Sequence, residues 1–111
     1  MEKEIRVSMS EEAAEFIRES ESPVKKQFSK YINRVREGYR GDWFKKMEGT
    51  EGIWEFRVIF NKNCFRLFAF WDSTSTEETL VVCTHGIHKK NSKTPKKEIE
   101  KAQKIKERYF G

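Results

Sequence analysis

Two arginines in the middle of the chain, Arg57 and Arg66, are the residues best placed to do chemistry. Each lies in a run in which large apolar residues occupy every second position, a pattern that predicts a β-strand. Guanidinium groups stay charged at any working pH, and each can bind two phosphate oxygens at once. If the strands pair so that both arginines reach the same face, they form a site for the phosphates of a nucleic acid.

The burial of apolar side chains selects the register of this strand pair. A one-residue slip would move all the apolar residues of a strand to the opposite face, so the favoured registers keep them on one side. We expect eight side chains on one buried face, packed against helices: Trp54, Phe56, Val58, Phe60, Phe65, Leu67, Ala69 and Trp71.

The opposite face of the same strands must then receive the charged side chains. It has one carboxylate, two guanidinium groups and several apolar side chains: Glu55, Arg57, Arg66, Ile53, Ile59, Phe68 and Phe70. A two-residue loop would place Arg66 directly opposite Arg57, whereas a four-residue loop would place it opposite Ile59, about 7 to 8 Å from Arg57. Either the arginines and exposed aromatic rings bind RNA, or the arginines pair with Glu55 and other carboxylates on a solvated face.

Charge is distributed unevenly along the chain, whose net charge is +5. Residues 1–22 have three basic and seven acidic side chains, a net of −4, whereas residues 84–111 have nine basic and three acidic ones, a net of +6. A basic segment attracts phosphates, and this one includes Lys89, Lys90 and Lys93 beside His85 and His88. The alternative is that its lysines form a solvated helix face.

The spacing of apolar residues predicts the elements that position these groups. A short first strand precedes a helix capped by Ser10, and a second helix begins at Ser22 and ends near Gly38. Three further strands with short connections imply an antiparallel meander: Ile53–Phe60, Cys64–Trp71 and Thr79–His85. Thr94 and Pro95 open a last helix. The predicted class is α+β, an N-terminal helical hairpin packed on an antiparallel sheet of about four strands, with a C-terminal helix.

The composition bounds the class of protein. The length of 111 residues fits a single domain over residues 1–111. Cys64 and Cys83 lie in apolar runs without the close pairing of zinc or redox motifs, so we expect buried free thiols. No cofactor is implied, and the two histidines lack nearby ligands at metal-binding spacing. Because no signal-peptide pattern and no apolar run of about 18 residues occurs, we predict a cytoplasmic protein without membrane contact.

Three side chains have the chemistry of a general base, and the sequence assigns that role to none of them. Glu55 shares the predicted face with Arg57, where it could act as a base or merely orient the arginine. Histidine titrates closest to neutral pH. However, His85 precedes Gly86 in a predicted turn, where a structural hydrogen bond is the commoner role, and both His85 and His88 could line an RNA groove.

Several motifs follow one another in order: Gly52–Arg57, Phe65–Phe68, Thr84–Gly86, Lys89-Lys90 and Lys93–Pro95. Together they resemble the phage-derived branch of the HigB-like toxins, in the RelE/HigB-like superfamily. The pattern of that branch is a lysine ahead of a W-E-x-R strand, a Y/F-R strand, an H-G-F-x-K-K segment and a K-T-P helix start. The resemblance covers roughly residues 43–109. The chain departs from it in having Ile87 where Phe is usual and in a longer, polar connection from Trp71 to Leu80.

The resemblance implies a RelE-like fold and the toxin of a type II toxin-antitoxin system. Such toxins are endoribonucleases that cleave messenger RNA in the ribosomal decoding site without a metal, with the neighbouring 2′-hydroxyl as nucleophile. Carried over motif by motif, the resemblance implies that Arg57, Arg66 and Lys90 are catalytic. It also implies RNA contacts at Lys46 and Lys89, to which we add Lys93, His85 and His88. The implied partners are the ribosome, messenger RNA and a small antitoxin with a helix-turn-helix DNA-binding fold.

Three function classes stay open at this point. The first is the ribosome-dependent ribonuclease, which the paired strand arginines and the Lys89-Lys90 cluster favour. The second is a toxin of the same fold that inhibits DNA gyrase. The third is a nucleic-acid-binding module without catalysis, which would not need two arginines focused on one small spot.

Overall fold

The computed structural model describes residues 3–90 and 93–111. Its strands and helices follow one another as β1 (Glu4–Met9), α1 (Glu11–Glu19), α2 (Ser22–Arg36), β2 (Phe44–Lys46), β3 (Trp54–Phe60), β4 (Asn63–Asp72), β5 (Glu78–Lys89) and α3 (Lys96–Phe110). Every predicted element is present. The structure adds β2, whose three residues are too few to show an alternating pattern. Among the described helices, none is long and apolar enough to cross a membrane.

One sheet contains all the described strands, in the order β1-β5-β4-β3-β2. The α+β class and the β3-β4-β5 meander are confirmed, but the prediction of about four antiparallel strands is wrong in two respects. The sheet has five strands, and β1 pairs parallel to β5. No hairpin connects β1 to a neighbour, so nothing local in the sequence indicated its partner or its direction.

A two-residue loop joins β3 to β4, which settles the register. Asn61 and Lys62 both have positive φ, 48° and 64°, as required at the two central positions of a type I′ turn, which matches the twist of a hairpin. The resulting register places Arg57 directly opposite Arg66. This is the first of the two alternatives that the sequence left open.

The helical hairpin packs on one face of the sheet, as predicted. Ala13 of α1 and Val24, Phe28 and Val35 of α2 are fully buried in this core. All eight side chains predicted to face the hairpin belong to the same cluster: Trp54, Phe56, Val58, Phe60, Phe65, Leu67, Ala69 and Trp71. The alternation of apolar residues therefore identified the buried face of the central strands correctly.

The opposite face of the sheet is partly covered by α3, which corrects one expectation. Ala102 of α3 is buried against Phe68, and Tyr109 and Phe110 pack on Phe70 at ring distances of 5.1 and 5.7 Å. Phe68 and Phe70 are therefore fully buried and are not the exposed rings on which we expected bases to stack. Ile59, beyond the reach of α3, stays 69% exposed.

Strand β5 is longer than predicted and includes the His85-Gly86 pair, which is not a turn. An irregularity in the β4–β5 pairing shifts the register at Phe68 and Ala69. It leaves Thr84 as an extra residue between Cys83 and His85. The Thr84 carbonyl accepts a hydrogen bond from the hydroxyl of Ser10, whose Oγ also caps α1 by accepting from the Ala13 N–H. The start of α1 is thus attached to β5 where the strand is irregular.

Gly86 allows α1 to approach the sheet closely. A Cβ at this position would overlap the Phe16 ring of α1. Either the Phe16 ring or the backbone of β5 would have to move. We expect Gly86→Ala to lower the free energy of unfolding by about 1 to 3 kcal/mol, the usual cost of overpacking a core. Urea unfolding of the wild-type and variant chains would measure this difference in free energy. In a Phe16→Ala background the same glycine substitution should cost almost nothing, and an equal cost in both backgrounds would contradict the explanation.

Candidate nucleic-acid interface

Three rows of residues cross the face of the sheet that α3 leaves partly open. The central row consists of Arg57, Arg66 and Ile87. The row toward the β3–β4 turn consists of Ile59, Cys64 and Lys89, and the row toward α3 consists of Lys45, Glu55, Phe68 and His85. The cross-strand partners within each row place its side chains on one face.

Arg66 and Glu55 form a buried ion pair at the centre of this face. The Arg66 Nη1 donates to both carboxylate oxygens of Glu55, at 2.6 and 2.7 Å. Each residue is only 5% exposed. The sequence left open whether the arginines pair with Glu55 on a solvated face. Arg66 does pair with Glu55, but the pair is buried and not solvated. The pair holds the guanidinium of Arg66 in a defined orientation.

Arg57 lies beside this pair and differs from it in having no partner for its charge. Its backbone N–H donates to the carbonyl of Trp43 at 2.9 Å, which attaches the residue just before β2 to β3. Its side chain is half-buried, and within residues 3–90 and 93–111 it has no ion pair or hydrogen bond. A cation in this state, next to a fixed guanidinium, is available to an anionic ligand.

Lysines extend the cationic surface beyond the arginines. Lys89 is exposed at the end of β5 and Lys90 follows it. A cleft of about 380 Å³ is lined by Lys89, Lys93, Thr94, Pro95 and Lys96, which places the K-T-P segment beside the end of β5.

The register of β2 separates the two lysines of that strand. Lys46 pairs with Trp54 and Lys45 pairs with Glu55, so it is Lys45, exposed, that shares the face of Arg57. Lys46, the predicted RNA contact, lies on the side of the helical hairpin. Lys45 could not be predicted from the sequence, because the three residues of β2 are too few to show the alternation that assigns side chains to a face.

The two histidines lie in different surroundings, and neither is exposed on the face of Arg57. His85 is 1% exposed, with its Nδ1 2.9 Å from Thr84 Oγ1 and its Nε2 3.2 Å from Glu98 Oε1. Its ring also packs on Phe68 at 5.0 Å, so an RNA contact by His85 would require this packing to open. His88 is exposed on the other face, stacked on Phe65 at 5.0 Å.

Both cysteines are buried and free, as predicted. Burial raises the pKa of the Cys83 thiol to about 12, so this thiol stays protonated at neutral pH and is a poor nucleophile. In the described part of the chain, no three His, Cys, Asp or Glu side chains are grouped so that they could hold a metal ion.

Comparison with known proteins identifies one family. The family model described as Phage derived protein Gp49-like (DUF891) matches residues 15–107. No curated protein matches the chain at a significant level. The match confirms the phage-derived character that the motifs indicated, while the RelE/HigB assignment stays a prediction.

The buried ion pair leads to a prediction about stability. Arg66→Ala would leave the Glu55 carboxylate buried without its guanidinium partner, and we expect a loss of about 3 to 5 kcal/mol in the free energy of unfolding. Arg57→Ala is the matched control, with an expected loss under about 1 kcal/mol because that side chain has no ion pair to break. The double variant Glu55→Leu/Arg66→Leu should recover most of the loss. Similar losses for the two single variants in urea unfolding would contradict a stabilising role of the buried ion pair.

His85 makes stability depend on pH. Burial lowers the pKa of His85 below its usual 6.5, and the Lys101 ammonium acts in the same direction, while Glu98 and Glu12 oppose it. Below about pH 6.5 the unfolded chain therefore binds a proton that the folded chain does not, and stability falls with pH until the folded ring also titrates.

The expected observation is a decrease in the midpoint of thermal unfolding between about pH 6.5 and 5.5. His85→Gln should flatten this slope. His88→Gln should retain it, because the buried ring is still present. An unchanged slope in His85→Gln would exclude His85 as its source.

Proposed function

The chain belongs to the Gp49-like family of phage-derived proteins, and we propose that it is the toxin of a type II toxin-antitoxin system, an endoribonuclease that cleaves messenger RNA on the ribosome. The proposal rests on one observation above all: Arg57 stands directly opposite Arg66 on a sheet face that is flanked by exposed lysines.

The arrangement of the two arginines suits a scissile phosphate. Directly opposite residues in a sheet have Cβ atoms about 4.5 to 5.5 Å apart, so the two guanidinium groups can reach oxygens of one phosphate group once Arg66, 5% exposed, is uncovered. Arg66 is held in place by Glu55, and a fixed donor stabilises developing charge without reorganisation at the moment of reaction. Arg57 contributes the cation whose charge no carboxylate of the described chain neutralises.

Glu55 acts as the residue that orients Arg66, in this proposal. Both of its oxygens accept hydrogen bonds from the guanidinium, and the carboxylate is buried. An oxygen engaged in this way is poorly placed to take a proton from a ribose. Of the two roles that the sequence left open for Glu55, base or orienter, we therefore assign the second.

The reaction is an internal transesterification of the RNA. The 2′ oxygen forms a bond to the neighbouring phosphorus and the bond from phosphorus to the 5′ oxygen breaks, which leaves a cyclic phosphate and a 5′-hydroxyl. The proton lost from the 2′-hydroxyl is balanced by the proton gained on the 5′ oxygen. The arginines hold the phosphate in line and stabilise its charge. Lys89, Lys90 and Lys93 bind the adjoining phosphates.

The partners follow from the same proposal. The ribosome sets the geometry of the substrate, since neither histidine of the described chain is exposed on the face of Arg57 to assist the attack. A small antitoxin of the helix-turn-helix DNA-binding class keeps the toxin inactive during normal growth. Co-expression of the antitoxin gene should then rescue growth.

We expect induced expression of the wild-type chain to arrest growth and to produce new messenger RNA ends. Arg57→Ala should reduce cleavage by ribosomes at least about a hundredfold, the usual effect of losing one transition-state contact to a developing charge. Arg18→Ala, which removes an exposed arginine of α1, is the matched control and should retain activity. Arg66→Lys tests the second arginine without removing the charge next to Glu55.

Two outcomes would contradict the proposed function. Efficient cleavage of a substrate with a 2′-deoxy nucleotide at the cut site would exclude the 2′-hydroxyl as nucleophile. Intact messenger RNA together with inhibited DNA supercoiling would indicate a gyrase inhibitor instead.

A further inference from the structure

A second surface, on the side of the sheet that packs against the helical hairpin, contains all three tryptophans. It consists of two adjoining clefts of about 520 and 640 Å³ that share Arg40. We call it the tryptophan groove and define it by its aromatic and charged lining: Trp43, Trp54, Trp71, Tyr39, Lys3, Lys30, Arg34, Arg40 and Glu37. The RNA face proposed above lies on the other side of the sheet.

The end of α2 builds the middle of this groove. Gly38, at φ 95°, takes the left-handed conformation that ends many helices, and its N–H donates to the Val35 carbonyl while that of Tyr39 donates to the Arg34 carbonyl. This pair of hydrogen bonds is a Schellman motif. It turns the chain back across the sheet, so that the guanidinium of Arg40 lies 4.7 Å from the ring centre of Trp71.

The charges of the groove are unbalanced. Four of its charged residues are basic and only Glu37 is acidic. None of these cations has an ion pair within the part of the chain that the structure describes. Lys3 and Arg40 donate only to backbone carbonyls, those of Ser73 and Tyr39. Burial also lowers the pKa of Arg40, because desolvation disfavours a charge without a carboxylate beside it. The groove therefore fits an anionic partner.

The aromatic rings indicate which kind of anion fits. A base of single-stranded RNA would need a free ring face on which to stack. Trp43 is stacked on Tyr31 at 4.9 Å, Trp71 lies under Arg40, and Trp54 packs against Phe44 and Trp71 at 5.0 and 5.8 Å. Each tryptophan ring thus already packs on a neighbour within the protein, while all three tryptophans remain partly exposed. The exposed edges of these rings can contact apolar side chains of a ligand, and the basic side chains beside them can pair with its carboxylates.

We infer that the tryptophan groove docks a segment of a partner protein that presents carboxylates next to large apolar side chains. Tryptophan, tyrosine and arginine are the residues that most often dominate protein–protein interfaces. Tyr39, 61% exposed, is available as a further anchor. The inference goes beyond the proposed function, because the groove lies away from Arg57 and its occupation does not depend on RNA cleavage.

Selection from a phage-displayed library of random peptides tests this inference on the intact chain. The expected result is enrichment of sequences that combine Asp or Glu with Phe, Leu or Trp. A synthetic peptide of the enriched sequence should change the intrinsic tryptophan fluorescence on titration. Arg40→Glu should weaken its binding at least about tenfold, and Arg40→Gln by a smaller factor. Circular dichroism checks that the variants are folded.

Two controls separate the groove from a general effect of charge. Lys104→Glu makes the same charge change on the exposed surface of α3 and should alter peptide binding less than about twofold. Arg57→Ala should leave peptide binding unchanged, so that the outcome is independent of the proposed ribonuclease activity. Absence of enrichment, or equal weakening by Arg40→Glu and Lys104→Glu, would overturn the inference. Binding of an oligouridylate that Arg40→Glu abolishes, without peptide binding, would make the groove a nucleic-acid site instead.

Discussion

Burying a charged guanidinium group in a sheet costs several kcal/mol of lost hydration, and a carboxylate that accepts its hydrogen bonds offsets this cost. The Glu55–Arg66 pair provides such a carboxylate here, with both residues 5% exposed. Its existence depends on the register of β3 and β4, which in turn depends on the two-residue turn at Asn61 and Lys62. The position of Arg57 opposite Arg66 follows from the same register.

The sheet separates two surfaces with different chemistry. On the face shared with α3, Arg57, Lys45 and Lys89 lie in the same rows as the Glu55–Arg66 ion pair or in the next row, so basic groups outnumber acidic ones there. On the face of the helical hairpin, the cations of the tryptophan groove lie among aromatic rings that already pack on one another. Because the sheet lies between the two surfaces, a ligand bound on one does not cover the other.

His85 and Gly86, which form one motif of the sequence, both have structural contacts that hold helices against the sheet. The ring of His85 is engaged at both nitrogens and joins β5 to α3 through Glu98. Gly86 gives the Phe16 ring of α1 the room it needs. Adjacent residues of one strand thus attach helices on both faces of the sheet. The His85-Gly86 motif in the sequence therefore indicates packing as much as it indicates function.

The sequence by itself determined what depends on local spacing. Alternation identified both faces of β3 and β4, helical periodicity identified the hairpin, and the apolar surroundings of Cys64 and Cys83 indicated buried thiols. Contacts between distant segments were decided only by the tertiary structure. They include the parallel pairing of β1 with β5, the cover that α3 places over Phe68, and the position of Lys45, not Lys46, on the face of Arg57. The physical reason is that spacing shows which side of an element is apolar, whereas burial of a given side chain depends on which other element packs against it.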